Sequence, residues 1–346
     1  MAKSGKRQRI GIITAGGDCP GINAAIRGVG KTAIVKYGME VFGISDGFTG
    51  MINKEFTVLT ERNLSGILTL GGTILGTSRE KPYKSDGNKR EIGKPAKIKE
   101  HYLDMELDCL VCIGGNGTLK TANLLAQEGL NVVGIPKTID NDVWGTDTTF
   151  GFDSAVNIAT EAIDRLHSTA NSHKRIMIIE LMGHHAGWIS LYSGIAGGGD
   201  VILIPEIPYK EEVIVKNLME RASANKPYSI VVVAEGIKNP GKNGGSVAQY
   251  LSRMISEETG LETRETVLGY IQRGGSPSPM DRVLATRYGT GAVEMIANKD
   301  FGKMVSLRDG RIVSVPLAEV AGKLKLIDPL DPMVLQAKNI GTCFGD

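Results

Sequence analysis

The sequence predicts an α/β protein with parallel sheets covered by helices on both faces, arranged in two domains. Three observations carry that expectation. The chain has 346 residues, more than one hydrophobic core usually organises. Short continuous apolar runs alternate with helix-compatible stretches, the pattern of strands buried on both faces of a parallel sheet. Glycine accounts for 45 residues, nearly twice its usual share of about 7%. The glycine clusters close the apolar runs, at the strand ends where ligands bind in such sheets.

Residues 9–14 read as a strand that ends at Gly16-Gly17-Asp18. A helix fits 22–37, and a second strand fits 41–44. The apolar run 107–113 ends at Gly114-Gly115-Asn116-Gly117 and leads into a helix over 118–128. Residues 132–135 form a strand running into Pro136. Further strands fit 176–181, 201–204 and 230–234. Further helices fit 154–169, 211–224, 247–258 and 281–297. The polar stretches 79–94 and 238–245 read as surface loops. The hinge between domains is expected at 150–153.

Charge narrows the function. There are 40 Lys and Arg against 38 Asp and Glu, a net charge of +2. Nucleic-acid binding through bulk charge is therefore excluded, and anion recognition must be local. A hydrophobic share of 41% with 23% charged residues excludes low-complexity disorder. No apolar run approaches the about 20 residues of a membrane helix. The basic start, 1–9, leads into a strand and a Gly-Gly-Asp turn rather than a secretory core. The run 3–9 itself reads as a solvated terminus. Cys19, Cys109, Cys112 and Cys343 make no disulfide framework, so a reducing cytoplasm is expected. Cys109 and Cys112 have CxxC spacing inside an apolar strand, where core packing is the expected role. His184 and His185 are adjacent and cannot share a helix face as i, i+4 zinc ligands do.

Four constellations can carry chemistry. Gly16-Gly17-Asp18 after a buried strand turns backbone N–H groups toward an anion, and a helix N-terminus follows. Gly114 to Thr118 repeats that logic at a second strand end, which favours a polyphosphate or nucleotide. No Walker A loop is present: 87–94 has the wrong spacing, with Pro95 after it. Third, Asp140 and Asp142 follow a strand at i and i+2, with Thr138 two residues earlier. One carboxylate can accept a hydroxyl proton while the other supports a metal ion. Fourth, Arg175, Arg264 and Arg273 offer guanidinium forks that match phosphate oxygens.

In their order along the chain these residues resemble the 6-phosphofructokinase family, whose members use ATP or pyrophosphate. The resemblance runs from about residue 9 to beyond 297. It is carried by Gly16-Gly17-Asp18-Cys19-Pro20-Gly21, Gly71-Gly72-Thr73-Ile74-Leu75-Gly76-Thr77-Ser78-Arg79, 114–118, 136–142, Met182-Gly183 and 268–277. It implies two Rossmann-like three-layer α/β/α domains with mainly parallel sheets and the active site in the cleft between them. Residues 1–151 plus about 272–321 would form the phosphoryl-donor domain. Residues 152–271 plus about 322–346 would form the fructose 6-phosphate domain.

The implied reaction moves a phosphoryl group from ATP to the 1-hydroxyl of fructose 6-phosphate, giving fructose 1,6-bisphosphate in glycolysis, with Mg2+ as cofactor. By the resemblance, Asp140 is the base, Asp142 supports it and the metal, and Thr138 places the reacting groups. Gly17 and Arg79 face the transferring phosphoryl group. Gly16, Gly115, Asn116, Gly117 and Thr118 line the donor phosphates, and Asn116 joins Asp142 at the metal. Met182, Gly183 and Glu235 hold the sugar, and Arg175, Arg264 and Arg273 its phosphate. Some of these arginines come from a neighbouring subunit in the family, so a homodimer or homotetramer is implied. No nucleic-acid or membrane partner is implied.

Four positions set against the family pattern matter, and two of them, Gly117 and Lys137, bear on the donor. Gly117 leaves room for an α-phosphate that an aspartate would crowd, which favours ATP. Lys137 stands where pyrophosphate users have lysine and many ATP users glycine, which points the other way. Gly117 carries more weight, because a missing side chain admits the larger donor. Asn116 replaces an acidic residue and would ligate Mg2+ without adding charge. Tyr270 replaces a histidine common in ATP users. The alternatives are a pyrophosphate-dependent enzyme, a non-catalytic regulatory paralogue, and an acceptor such as sedoheptulose 7-phosphate. Arg27 and Lys31 fit part of a family effector site, but 221–226 lacks the dense basic cluster, so weak or absent allostery is expected.

Overall fold

The computed structural model describes residues 7–84, 93–240 and 245–346. The expected loops 79–94 and 238–245 fall partly outside the described residues, and most of the basic run 3–9 does too. In chain order the elements are β1 (Arg9–Thr14), α1 (Ile22–Lys31), β2 (Glu40–Ile44), α2 (Phe48–Asn53), β3 (Phe56–Leu59), α3 (Gly93–Asp104), β4 (Cys109–Gly114), α4 (Asn116–Gln127) and β5 (Val132–Pro136). Then come α5 (Phe152–His173), β6 (Ile176–Leu181), α6 (Trp188–Ala196), β7 (Val201–Leu203), α7 (Glu211–Ser223), β8 (Ser229–Ala234), α8 (Val247–Thr259) and β9 (Thr263–Val267). The chain closes with α9 (Pro279–Ala297), β10 (Lys303–Arg308), β11 (Arg311–Pro316), α10 (Leu317–Val320) and α11 (Pro332–Asn339).

Two compact units emerge. The first comprises Met1–Thr138, Val143–Gly151 and Arg273–Leu324; the second comprises Ile139–Asp142, Phe152–Gln272 and Lys325–Asp346. The stretch Ile139–Asp142 thus belongs to the second unit, although it lies inside the 1–151 span that the resemblance gives to the first domain. Its physical tie is to Lys325, described below.

The first unit is built on a seven-stranded sheet in the order β11-β10-β5-β4-β1-β2-β3. The five central strands run parallel, and β3 and β11 pair antiparallel at the two edges. β4 and β5 are buried throughout, as continuous Val, Ile and Leu runs require. Cys109 and Cys112 are fully buried in β4, and burial pushes the Cys112 thiol up to about 12. α1 lies against α9 through glycine: a Cβ on Gly289 would stand 2.7 Å from the Ala25 carbonyl oxygen. Any larger residue would force the two helices apart.

Two features of this unit depart from the sequence expectation. The helix over 22–37 is α-helical to Lys31 and then π-helical over Thr32–Lys36. The hairpin β10–β11 carries alternating polar residues and lacks the apolar run that marks a buried strand. It turns at Asp309 and Gly310, both with positive φ, the preferred Asp-Gly turn.

The second unit holds a four-stranded, all-parallel sheet in the order β7-β8-β6-β9. β6 and β8 are fully buried. Glu180 sits inside β6, where its carboxylate accepts the Ala248 N–H at 2.8 Å. That places an anion at the first turn of α8, the favourable end of the helix dipole. Near the C-terminus, Cys343 pairs with Val201 and adds a short parallel bridge beside β7. Among the described residues, no helix is long and apolar enough to cross a membrane.

Candidate functional site

The first unit gathers three glycine-rich turns at the carboxyl ends of β1 and β4. The β1 turn is fixed by its own backbone. The Ala15 N–H donates to the Ile113 carbonyl at 3.0 Å, and the Gly16 N–H to the Ser78 carbonyl at 2.9 Å. The Thr77 hydroxyl donates to the Gly16 carbonyl at 2.7 Å. These bonds join 71–79 to the Gly16-Gly17 turn and leave Arg79, one residue beyond Ser78, exposed. Asn23 holds the same segment from the other side. Its amide donates to the Leu70 and Gly71 carbonyls at 3.1 and 3.2 Å, and its oxygen accepts the Ile74 N–H at 2.8 Å. Asn23, two residues beyond Gly21, thus fixes this segment, a role the sequence did not show.

The β4 turn supplies the N-terminus of α4. Gly115 is its N-cap residue, and no side chain caps the helix there, so an incoming anion would meet backbone N–H groups and the positive end of the dipole. Gly117 is exposed, and a Cβ placed on it would meet no atom within 4 Å. Thr118 is buried and donates to the Ala15 carbonyl at 3.3 Å, linking the two turns.

Lys137 is 3% exposed. Its ammonium donates to the Ala15 carbonyl at 3.3 Å and to the Gly17 carbonyl. In this geometry the cation braces the Gly16-Gly17 turn. Arg273 lies on the same turn: its Nη1 donates to the Asp18 carbonyl at 3.2 Å, and a Cβ on Gly17 would come within 2.5 Å of that nitrogen. The structure thus places Arg273 beside Gly17. Cys19, next in this turn, is buried, and desolvation pushes its thiol up to about 12.

The second unit presents its own set at the carboxyl ends of β6 and β8. The Gln272 side-chain amide oxygen accepts the Met182 N–H at 2.8 Å. Glu235 accepts the N–H groups of Gly183 at 3.3 Å and His184 at 2.9 Å. Gly183 has φ 151 and His184 φ 53, so the loop after β6 needs glycine and is locked by Glu235. Gln272 is fully buried; the sequence offered only its place inside the 268–277 motif. Tyr270 is exposed.

Arg175 and Arg264 occupy the other end of this sheet. Arg175 precedes β6 and pairs with Glu262 at 2.7 Å, while Arg264 pairs with the same carboxylate at 2.6 Å. Glu262 is held below the usual carboxylate range, first by its hydrogen bond to Arg175. Met182 follows the last residue of β6. A six-residue strand at about 3.3 Å per residue separates the two ends by roughly 20 Å. Within one chain, these arginines and the Met182–Glu235 set are too far apart to hold one hexose phosphate.

The acidic turn also belongs to the second unit. Asn141 and Asp142 are buried, at 4% and 6% exposure, and Ile139 is fully buried. Asn141 has φ 53 and accepts the Lys325 ammonium at 2.9 Å. The Asp142 carbonyl accepts the Lys325 N–H at 2.9 Å. Thr138 stays with the first unit, where its carbonyl accepts the Thr149 hydroxyl at 2.8 Å.

No cluster of three or more His, Cys, Asp or Glu side chains that could cage a metal occurs among the described residues. Asn116 and Asp142 offer hard oxygen donors. Each is a donor type that suits Mg2+, which keeps several waters and takes one or two protein oxygens plus substrate phosphates.

A sequence profile of the family described as Phosphofructokinase matches residues 9–296. The chain belongs to the phosphofructokinase family. It is similar along nearly its whole length to proteins named ATP-dependent 6-phosphofructokinase. The Bacteroides thetaiotaomicron protein of that name, number 3, is 61% identical over 97% of this chain and 100% of its own. That of Spirochaeta thermophila is 58% identical over 97% of each chain. Among solved structures, the phosphofructokinase of Pichia pastoris in the T-state has a TM-score of 0.83 and 33% identity. It matches 98% of this phosphofructokinase chain, which spans 36% of the yeast chain. A pyrophosphate-dependent phosphofructokinase from Marinobacter aquaeolei, 24% identical with a TM-score of 0.83, covers 94% of this chain and shares the fold.

Proposed function

We propose that this chain is an ATP-dependent 6-phosphofructokinase, transferring the γ-phosphoryl group of ATP to the 1-hydroxyl of fructose 6-phosphate. Gly117 is the observation that carries the choice of donor. It opens on empty space at the N-terminus of α4, where the rest of a nucleotide beyond its β-phosphate needs room. Lys137 does not weigh against ATP, because its ammonium braces the Gly16-Gly17 turn.

Asp140 accepts the proton of the 1-hydroxyl as that oxygen bonds to the γ-phosphorus and the bond to the ADP oxygen breaks. The Gly17 N–H and the backbone N–H groups of the Gly115–Thr118 turn receive the donor phosphates. Arg79, together with Arg273 on the Gly17 turn, offsets the charge of the transferring group. Mg2+, held by Asn116 and Asp142 with the donor phosphates, would supply charge neutralisation across the transferring oxygens. Met182, Gly183 and Glu235 hold the sugar, with Tyr270 beside it. Arg175 and Arg264 would reach the 6-phosphate of a second copy, since the length of β6 separates them from the sugar loop of their own chain. A homo-oligomer working in the cytoplasm follows from that reading.

Parallel assays with ATP and with pyrophosphate at saturating fructose 6-phosphate test it. Turnover with ATP is expected. Turnover with pyrophosphate alone would reverse the donor, and none with either would leave a sugar-phosphate-binding paralogue. Sedoheptulose 7-phosphate in the same assay checks the acceptor.

A further inference from the structure

Lys325 is separated from the acidic turn by more than 180 residues of sequence, yet four contacts converge on it there. Its ammonium donates to the Asn141 side-chain oxygen at 2.9 Å. Its N–H donates to the Asp142 carbonyl at 2.9 Å. Its own carbonyl accepts the Trp188 indole N–H at 2.9 Å. The ammonium also stands 5.3 Å from the Trp188 ring centroid, within cation–π range.

We propose that Lys325 is a positioning residue for catalysis, which aims the carboxylates of Asp140 and Asp142 by holding Asn141 between them. The inference rests on reading Asp140 as the base. Asn141 has a left-handed φ of 53, a conformation that asparagine adopts more readily than most residues and that its surroundings must select. A charge-assisted hydrogen bond to its buried side chain is such an imposition. Because Asn141 is the peptide neighbour of both aspartates, any relaxation of its backbone re-aims both carboxylates together.

The anchor itself is rigid. Two residues on, the Ile327 N–H donates to Glu206 at 3.1 Å, and the same oxygen accepts the Gly187 N–H at 3.0 Å at the start of α6. Residues 325–327 therefore form a strap from the acidic turn to α6. Trp188, the first residue of that helix, closes the loop back onto Lys325.

The test uses the purified full chain, with kcat and both KM values measured for wild type, Lys325→Met, Lys325→Arg, Asn141→Ala and the Lys325→Met/Asn141→Ala double variant. Circular dichroism and Tm check folding. Lys325→Met is expected to lower kcat about 10- to 100-fold, the scale of a misplacement of about 1 Å, with the KM for fructose 6-phosphate within about threefold of wild type. Lys325→Arg keeps a cationic donor and should recover most of the loss. The double variant should be no more than about threefold slower than Asn141→Ala alone, because both changes remove one interaction. A kcat for Lys325→Met within about threefold of wild type, or losses that multiply in the double variant, would overturn the inference. If Lys325→Met does not fold, Asn141→Ala decides, with the same loss expected and the same threefold limit. A wild-type chain that phosphorylates no sugar would bring down the underlying assignment. An active wild type with unaffected variants would bring down this inference alone.

Discussion

Replacing Gly117 by aspartate separates catalysis from stability with opposite signs. A Cβ at 117 meets nothing within 4 Å and the residue has no left-handed φ, so the fold accepts the side chain. The position lies in the first turn of α4. A carboxylate there interacts favourably with the helix dipole, and removing a glycine lowers backbone entropy in the unfolded chain, together worth about 0.5–1 kcal/mol. Tm should therefore hold or rise slightly. Toward ATP the same charge is repulsive. Two like charges 4 Å apart repel by about 1 kcal/mol in water and about 4 kcal/mol near a protein surface. That range lowers kcat/KM for ATP by about fivefold to about a thousandfold. The assay is coupled ADP release at fixed saturating fructose 6-phosphate, with Tm measured on the same preparation. A variant with undiminished kcat/KM for ATP and a native Tm would refute the idea that the space beside Gly117 belongs to the nucleotide.

Other substitutions probe the remaining parts. Asp140→Ala should lower kcat by about 10²- to 10⁴-fold while fructose 6-phosphate binding, followed by calorimetry, stays near wild type. Lys137→Met keeps the aliphatic stem and loses the bonds to Ala15 and Gly17. Each such bond to a charged group is worth about 1.5–3 kcal/mol, so Tm should fall and the KM for ATP should rise. A rise in KM without any fall in Tm would show that the ammonium meets the donor rather than bracing the turn. Glu206 has its carboxyl pKa raised above the usual 4.5, first by burial and against the hydrogen bonds from Ile327 and Gly187. A raised carboxyl binds more protons folded than unfolded, so the folded state loses ground as pH climbs upward from about 4.5. Glu206→Gln keeps an oxygen for both N–H groups, so its Tm relative to wild type should improve between pH 4 and 7. An unchanged difference would remove Glu206 as the source.

Much of this architecture was legible in the residues because burial on two faces leaves a plain signal. β4 is an unbroken apolar run, and β1, β6 and β8 are apolar apart from Arg9, Thr14, Glu180 and Ser229; the glycines that follow β1 and β4 mark the turns that gather Lys137, Thr118 and Arg273. β9 was not legible, since four of its five residues, Thr263 to Thr266, are polar and only Thr263 is buried. The β10–β11 hairpin was legible in principle from Asp309-Gly310, but its strands alternate instead of running apolar. At the site, residue types in a local motif were readable, and long-range supports were not. Asn23 and Gln272 sit inside motifs yet act through loops elsewhere in the chain. Lys325 has no motif at all, and only the folded path of 325–327 brings it to Asn141. Arg273 could be recognised as a phosphate-type residue, but only the fold brings it beside Gly17.

The central position of β5 has a consequence for biosynthesis. β5 is complete once Pro136 is made, but its neighbour on one side, β10, begins only at Lys303. At about 5–20 residues per second, a ribosome needs roughly ten to thirty seconds to deliver that partner. Throughout that interval the nascent chain carries an apolar strand with one bare hydrogen-bonding flank, the kind of surface that chaperones shield and that neighbouring nascent chains can capture.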